Sequence, residues 1–104
     1  MSLRIHPEAE AEIEAARAYV EKQRPGWGER LLLELEAVLR SVETNPSQWT
    51  LLETVPDSTS CRRVRLRRFR YNLIFEELGA SVIVLAFAHT RRKPNYWKSR
   101  GFDA

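Results

Sequence analysis

Two basic stretches in the second half of the chain carry the side chains best suited to chemistry. Arginines dominate residues 61–70, CRRVRLRRFR, and a tail after the last apolar run contains His89, Arg91, Arg92, Lys93, Tyr96 and Trp97. Guanidinium groups bind phosphates and carboxylates through charged hydrogen bonds, and aromatic rings add stacking. His89 is suited to act as a base near neutral pH, with a hydrogen-bonded structural histidine as the alternative. These stretches predict a surface that recognises an anionic macromolecule.

The alternation of residue types places the arginines on a strand. Val64 and Leu66 are predicted to face the core, so Arg63, Arg65 and Arg67 form a row on the opposite face. Such a row can be a solvated face that discourages edge-to-edge pairing of sheets. A recognition surface is favoured, because surfaces that need only solubility intersperse both signs of charge.

Two further apolar runs predict an antiparallel meander with this strand. Tyr71, Leu73 and Phe75 follow a turn at 68–70, and a second turn at 77–80 precedes an apolar run over 82–88. A run that is apolar at every position predicts a central strand covered on both faces. Because the helices cover only one face, the other is predicted to be covered by the C-terminal segment, by another chain, or by both. Tyr96 and Trp97 are accordingly predicted either to fold back over the sheet or to contact a partner by stacking.

The first half of the chain is predicted to form mainly helices that cover one face of the sheet. Leu3 and Ile5 predict a short strand that stops at Pro7, and apolar residues at helical spacing then predict a helix ending near Arg24. A second helix of about five turns follows the 25–28 break and stops at 45–47, so the two form an antiparallel hairpin. Trp27 and Trp49 are predicted to pack its ends against the sheet, and residues 53–60 to form a loop.

Length and composition predict one domain over residues 1–104. Its predicted class is α+β: a short N-terminal strand, an α-helical hairpin and a three-stranded antiparallel meander.

Without a long apolar segment, no membrane contact is expected, and Cys61, the single cysteine, suggests the reducing cytoplasm. His6 and His89 alone do not form a metal site, and no nucleotide-loop or nucleophile motif is present, so no cofactor is expected.

The charge is strongly asymmetric along the chain. Residues 1–60 contain 6 Lys/Arg and 11 Asp/Glu, whereas residues 61–104 contain 11 Lys/Arg and 3 Asp/Glu. A field this uneven steers nucleic acid or an acidic polypeptide toward one side of a small protein. A simple nucleic-acid-binding module would then bind with a steep salt dependence.

These features together resemble the ParE/RelE superfamily of toxins from bacterial type II toxin–antitoxin operons. The resemblance covers nearly the whole chain, and it is most specific in FRYNLIF and HTRRKPNYW, which are similar to the ParE-like plasmid-stabilisation branch. It implies the RelE/ParE-like fold and a cognate antitoxin with an acidic tail as partner. A homodimer or a toxin–antitoxin hetero-oligomer is compatible with this resemblance.

The resemblance implies two different targets on one scaffold. RelE-like members cleave messenger RNA on the ribosome; Arg63, Arg65, Arg91 and Tyr96 or Trp97 match their site, with His89 as a further candidate. ParE-like members are associated with inhibition of DNA gyrase. The chain has arginines where the nucleases carry lysines, and Asn72 where they carry a further arginine. Arginine is a poor general base, so this departure weakens proton transfer while it keeps phosphate binding.

The favoured hypothesis is therefore a ParE-like toxin that inhibits DNA gyrase or replication and is neutralised by its antitoxin. The predicted target- or antitoxin-binding residues are Arg63, Arg65, Arg67, Arg91, Arg92, Tyr96 and Trp97. The alternatives are a ribosome-dependent RNA endonuclease and a non-toxic binding domain on the same scaffold, so enzymatic activity stays open at this point.

Overall fold

The computed structural model describes residues 2–51, 61–93 and 96–100, and the predicted loop at 53–60 lies outside them. Strand β1 (Ser2–Ile5) precedes helices α1 (Pro7–Gln23) and α2 (Trp27–Thr44), and a single 3₁₀ turn (Pro46–Gln48) leads to strand β2 (Thr50–Leu51). Strands β3 (Cys61–Arg65), β4 (Tyr71–Leu78) and β5 (Ser81–His89) follow. Neither of the two described α-helices has the combination of length and hydropathy that a membrane span requires.

The strands form one sheet in the order β1-β5-β4-β3-β2. The predicted meander is confirmed, since β3 pairs antiparallel with β4 and β4 with β5. The sheet is wider than the meander, because β1 joins it parallel to β5 and the two-residue β2 joins it antiparallel to β3. A strand of two residues has no alternation for a pattern to detect, and pairing partners are decided by tertiary packing. β4 also runs on to Leu78, so the turn is shorter than expected and lies at Gly79, whose φ is +59°.

Helix α1 and the end of α2 lie where the sequence predicts, whereas α2 begins at Trp27, inside the predicted break at 25–28. Side chains at the helix ends satisfy free backbone groups. His6 Nδ1 accepts a hydrogen bond from the Glu8 amide at the start of α1. The Glu21 carboxylate accepts hydrogen bonds from the amides of Gly26 and Gly28 at 3.0 Å, which caps the start of α2. A Cβ atom at Gly28 would lie 3.0 Å from the Arg17 carbonyl oxygen. Glycine therefore permits the close approach of the two helices.

The sheet has an apolar layer on each face. The helix-side layer joins Leu31, Leu35 and Val42 of α2 to β-strand residues, which are Val64, Leu73, Phe75, Val82, Val84 and Phe87. The outer layer contains Cys61, Ile74, Ile83, Leu85 and Ala86, covered by Trp97. A β-bulge opposite Ile74 and Phe75 inserts one extra residue into β5, so Leu85 and Ala86 both belong to the outer layer. The apolar run of β5 is thus buried on both faces, as predicted, and the C-terminal segment (residues 96–100) provides part of the second cover.

Candidate functional site

Strand β3 presents its arginines in two directions. Arg63 and Arg65 are exposed on the outer face, while Val64 and Leu66, only 3% and 2% exposed, belong to the helix-side layer. Arg62 lies opposite Phe75 and is half-buried; its Nε donates to Glu77 at 2.8 Å, and its Nη1 donates to the Trp49 carbonyl at 2.6 Å. Arg62 therefore stabilises the packing of the segment before β2, whereas Arg63 and Arg65 form no ion pair with another described residue.

The turn between β3 and β4 carries three more exposed arginines, Arg67, Arg68 and Arg70. The carboxylate of Glu34 on α2 accepts hydrogen bonds from the backbone amides of Arg67 and Arg68, which ties the turn to the helix. Within residues 2–51, 61–93 and 96–100, none of these three guanidinium groups forms an ion pair. The turn is thus held by its backbone while its charged side chains extend into solvent.

A groove of about 810 Å³ separates α2 from β3 and this turn. Its floor is apolar and aromatic, and its lining includes Trp27, Leu33, Val38, Trp49, Val64 and Phe69. Arg30, Arg65, Arg67 and Arg68 also line it. Leu33 is 58% exposed, and the buried indole Nε1 of Trp49 has no hydrogen-bond partner among the described residues. Among the described residues, the groove thus combines exposed apolar surface, arginines without an ion pair and a buried indole N–H without an acceptor. Glu34, whose carboxylate binds the turn amides, also lines it.

The C-terminal segment is attached to α1 by Glu12. Glu12 Oε2 accepts a hydrogen bond from the Tyr96 hydroxyl at 2.7 Å, and its carboxylate accepts two from Arg100 at 2.9 and 3.0 Å. Glu12 Oε1 also accepts one from the backbone amide of Phe87 at 3.0 Å, on the part of β5 beyond its pairing with β1. Arg100 in turn donates to the Leu85 carbonyl at 3.2 Å. The Glu12 carboxylate and the Arg100 guanidinium group thus provide hydrogen-bond partners for the Phe87 N–H and the Leu85 C=O at this strand edge.

This arrangement shifts the pKa values of its members. Burial acts to raise the pKa of Glu12, but the hydrogen bonds from Arg100, Tyr96 and the Phe87 amide outweigh it, and the pKa is lowered. Burial and the hydrogen bond to the Glu12 carboxylate both raise the pKa of the Tyr96 phenol. Tyr96 therefore keeps its proton and donates it to a structural hydrogen bond.

The remaining tail residues lie in different environments. Trp97 is 5% exposed and packs in the outer apolar layer, which is the fold-back alternative for this residue. Arg91, Arg92 and Lys93 are exposed, and the Arg92 guanidinium carbon lies 3.9 Å from the centre of the Tyr96 ring. Two residues of the predicted tail, Pro94 and Asn95, lie outside the described residues.

His89 lies on the opposite face of the sheet from Arg63 and Arg65. Its ring meets the edge of Tyr71, which stacks on Phe87 at 4.9 Å between ring centres, and both aromatics pack with the helix-side layer. His89 Nδ1 accepts a hydrogen bond from the Arg91 amide at 3.1 Å. The predicted nuclease set is thus divided: the β3 arginines extend from the outer face, whereas His89 is a hydrogen-bonded residue under the helices.

Sequence reasoning missed the residues that organise these surfaces. Glu12, Glu34 and Arg100 each bridge elements distant in sequence, so no local spacing connects them. A weak sequence signal existed for Glu12, because it directly precedes Ile13 of the apolar stripe; the structure shows that it is partly buried. Within the described part of the chain, no group of three or more His, Cys, Asp or Glu residues has metal-binding geometry.

Comparison with known proteins places the chain in a family. The family model described as the ParE toxin of the type II toxin–antitoxin system, parDE, matches residues 3–94. The chain therefore belongs to the ParE toxin family, and it is a ParE-like toxin component of a type II system.

A solved structure shares the fold. It is described as the chromosomal ParDE TA system from P. aeruginosa, and it superposes with a TM-score of 0.71 at 16% sequence identity. The match covers 86% of this chain and 95% of the other. No curated protein matches the sequence.

Proposed function

We propose that this toxin acts by binding a macromolecular target in a gyrase-linked process, without cleaving RNA. The observation that carries the proposal is the separation of the predicted acid–base groups. His89 lies on the helix side of the sheet with its Nδ1 occupied by the Arg91 amide, whereas Arg63 and Arg65 lie on the outer face. Within the predicted nuclease set, His89 and the two β3 arginines therefore do not converge on one site.

The chemistry of RNA cleavage supports the same conclusion. Attack by a 2′-hydroxyl needs a base for its proton, cations for the phosphorane and an acid for the leaving oxygen. Tyr96 donates to Glu12 and its pKa is raised, so it is a poor base. Arginine keeps its proton at physiological pH, so Arg63, Arg65 and Arg91 supply charge without proton transfer. This set is suited to holding an anionic surface.

The same surface suits the antitoxin. A disordered acidic tail that folds on binding can lay its apolar side chains in the groove beside α2 and pair its carboxylates with Arg65, Arg67 and Arg68. Such a tail would cover the exposed Leu33 side chain. The antitoxin would then neutralise the toxin by occupying these three arginines, which the target also needs.

Induced expression of the toxin without its antitoxin tests the proposal. Replication, translation and messenger-RNA integrity are measured separately in the same culture, and purified toxin is added to a supercoiling assay with DNA gyrase. We expect growth arrest with loss of supercoiling and replication before translation falls. Prompt loss of translation with cleaved messenger RNA and normal supercoiling would show that the toxin is an RNA endonuclease. Harmless expression would show a non-toxic binding domain.

Two conservative substitutions separate binding from catalysis. Tyr96→Phe and His89→Gln remove groups that transfer protons while they keep side chains of similar size. An RNA endonuclease that used either group would lose roughly 100- to 10,000-fold in cleavage rate. We expect both variants to retain growth arrest in cells that express them at the wild-type level. Cleavage of messenger RNA by the wild-type toxin that is lost, together with growth arrest, in a folded variant would contradict a binding mechanism.

A further inference from the structure

A second concave site lies at the end of the helix hairpin, on the helix side of the sheet. It is a shallow depression of about 320 Å³, open to solvent, between the end of α1, the start of α2, the β3–β4 turn and the end of β5. The volume is at the lower end of the range for sites that bind small molecules. Trp27, Arg68 and Phe69 line both this pocket and the groove beside α2, so the two are neighbours that share a wall.

The pocket is unusually rich in aromatic rings. Tyr19, Trp27, Phe69, Tyr71 and the imidazole of His89 all line it. These rings support one another: Trp27 meets Phe69 edge-on at 5.9 Å, and Tyr71 is held between Phe87 and His89. The Tyr19 side chain is different, because it is 59% exposed. A fixed aromatic wall with one exposed ring is a surface on which a flat π-system can stack.

Charge at the pocket has a single sign. Arg24, Arg68 and Arg70 line it and are exposed, and no Asp or Glu residue of the described chain lines it. The Arg24 guanidinium carbon lies 4.2 Å from the centre of the Trp27 ring, which holds this cation at the aromatic wall. Arg68 and Arg70 form no ion pair among residues 2–51, 61–93 and 96–100. The ligand that complements the pocket is therefore anionic as well as flat.

We infer that this pocket binds a nucleotide unit, with the base stacked on Tyr19 and the aromatic wall and the phosphate bound by Arg24 and Arg70. A nucleotide joins a planar ring to a compact anion within one small ligand, which is the combination that the pocket presents. An acidic peptide carries its carboxylates on flexible aliphatic side chains, and Asp and Glu have no planar ring to stack on the aromatic residues of the pocket. Free nucleotides and single-stranded nucleic acid share this unit. The inference goes beyond the proposed function and does not depend on it.

Binding to the full-length chain is measured with two probes. AMP tests the free nucleotide by NMR, with the indole of Trp27 and the ring of His89 as reporters and the indole of Trp97, in the other apolar layer, as the internal reference. A single-stranded oligothymidylate tests the nucleic acid by NMR with the same reporters, and its fluorescein-labelled form gives the affinity by anisotropy. We expect the Trp27 and His89 signals to move and the Trp97 signal to stay. If AMP alone moves them, the source is a free nucleotide; if they move only with the oligonucleotide, the source is nucleic acid.

Matched variants test the stacking and the charge separately. Tyr19→Leu removes the exposed ring and is expected to weaken binding about tenfold, while Tyr19→Phe retains it. Arg70→Gln is expected to weaken binding roughly tenfold. Arg40→Gln removes an equal charge from the exposed face of α2 and is expected to change binding less than about twofold. Unaltered thermal unfolding confirms that each variant is folded.

Three results would overturn the inference. The first is the absence of a shift at Trp27 and His89 with either probe. The second is an equal loss of binding for Arg70→Gln and Arg40→Gln, which would show non-specific attraction between charges. The third is a shift of the Trp27 and His89 signals by an acidic peptide when neither nucleotide probe shifts them.

Discussion

Glu12 shows how a single carboxylate can organise a surface. It lies on α1 with its side chain only 16% exposed, and it accepts hydrogen bonds from the Phe87 amide, the Tyr96 hydroxyl and Arg100. Four donor groups from three residues, one on β5 and two in the C-terminal segment, therefore converge on two oxygen atoms. A buried carboxylate is stable only when such partners replace water. Glu12 thus determines where the tail lies, and with it the position of Tyr96.

Substitution of Glu12 by Gln is expected to lower the free energy of unfolding by about 2 kcal/mol near neutral pH. The amide keeps the shape of the side chain, but it loses the charge that pairs with Arg100. Because folding lowers the pKa of Glu12, its contribution is present above the unfolded pKa of about 4.3 and is lost as the pH falls through the folded value. Urea unfolding of both proteins across this range measures the effect.

Glu14→Gln is the matched control for this prediction. Glu14 lies on the same helix and pairs with Arg17 at 2.6 Å, but its side chain is 67% exposed. We expect a much smaller change in stability from this variant. A Glu12→Gln variant as stable as Glu14→Gln at neutral pH, or a difference that grows on acidification, would contradict the role assigned to Glu12.

The C-terminal segment is the element whose position decides what the outer face exposes. Trp97 covers an apolar layer formed by β3, β4 and β5, and Glu12 holds the residues on either side of it. The segment is too short to be stable alone, so it depends on the sheet beneath it. Removing its anchor would turn the outer face into an exposed apolar patch beside Arg63 and Arg65.

Trp97→Ala is expected to destabilise the protein by roughly 3 kcal/mol, since it removes a large buried side chain. The exposed layer should bind a hydrophobic dye under native conditions. Lys98→Ala, at the exposed neighbouring position, serves as the control and is expected to change neither property. Thermal unfolding and dye fluorescence measure both variants. Unchanged stability in Trp97→Ala would show that the segment does not cover the sheet in solution.

At the scale of the whole molecule, the two halves of the chain divide charge between two surfaces. Acidic residues predominate in the half that forms the helices, while the β3 arginines, the β3–β4 turn and the tail concentrate positive charge on the sheet. The groove beside α2 lies where these regions meet. A field of this form orients an acidic partner before contact, so association rates should fall steeply with salt.

The double variant Arg67→Gln, Arg68→Gln tests this steering. It removes two charges from the groove while the backbone contacts to Glu34 remain. We expect binding of the antitoxin to weaken about tenfold, mainly through a slower association rate, with a shallower dependence on salt. Lys22→Gln, Arg40→Gln removes the same charge from exposed helix positions. If both double variants weaken binding equally, net charge and not the groove determines association.

Much of the fold was predictable because it depends on local patterns. Helical spacing located α1 and α2, Pro25 and Gly26 located the break between them, and alternation in β3 correctly directed Arg63 and Arg65 away from the helices. The parallel partner of β1, the strand β2 and the bulge in β5 were not predictable, because each depends on contacts between distant segments. The roles assigned to the site residues stay predictions.

The amino-acid sequence by itself determined the α+β architecture, the segregation of charge and the resemblance to the toxin superfamily, since hydrophobic period, turn chemistry and motifs are properties of neighbouring residues. Only the tertiary structure decided which charged groups share a surface. It placed His89 under the helices, paired Tyr96 and Arg100 with Glu12, and opened the groove between α2 and β3. These arrangements join residues far apart in the chain, and their geometry arises from packing the helices and the tail against one sheet.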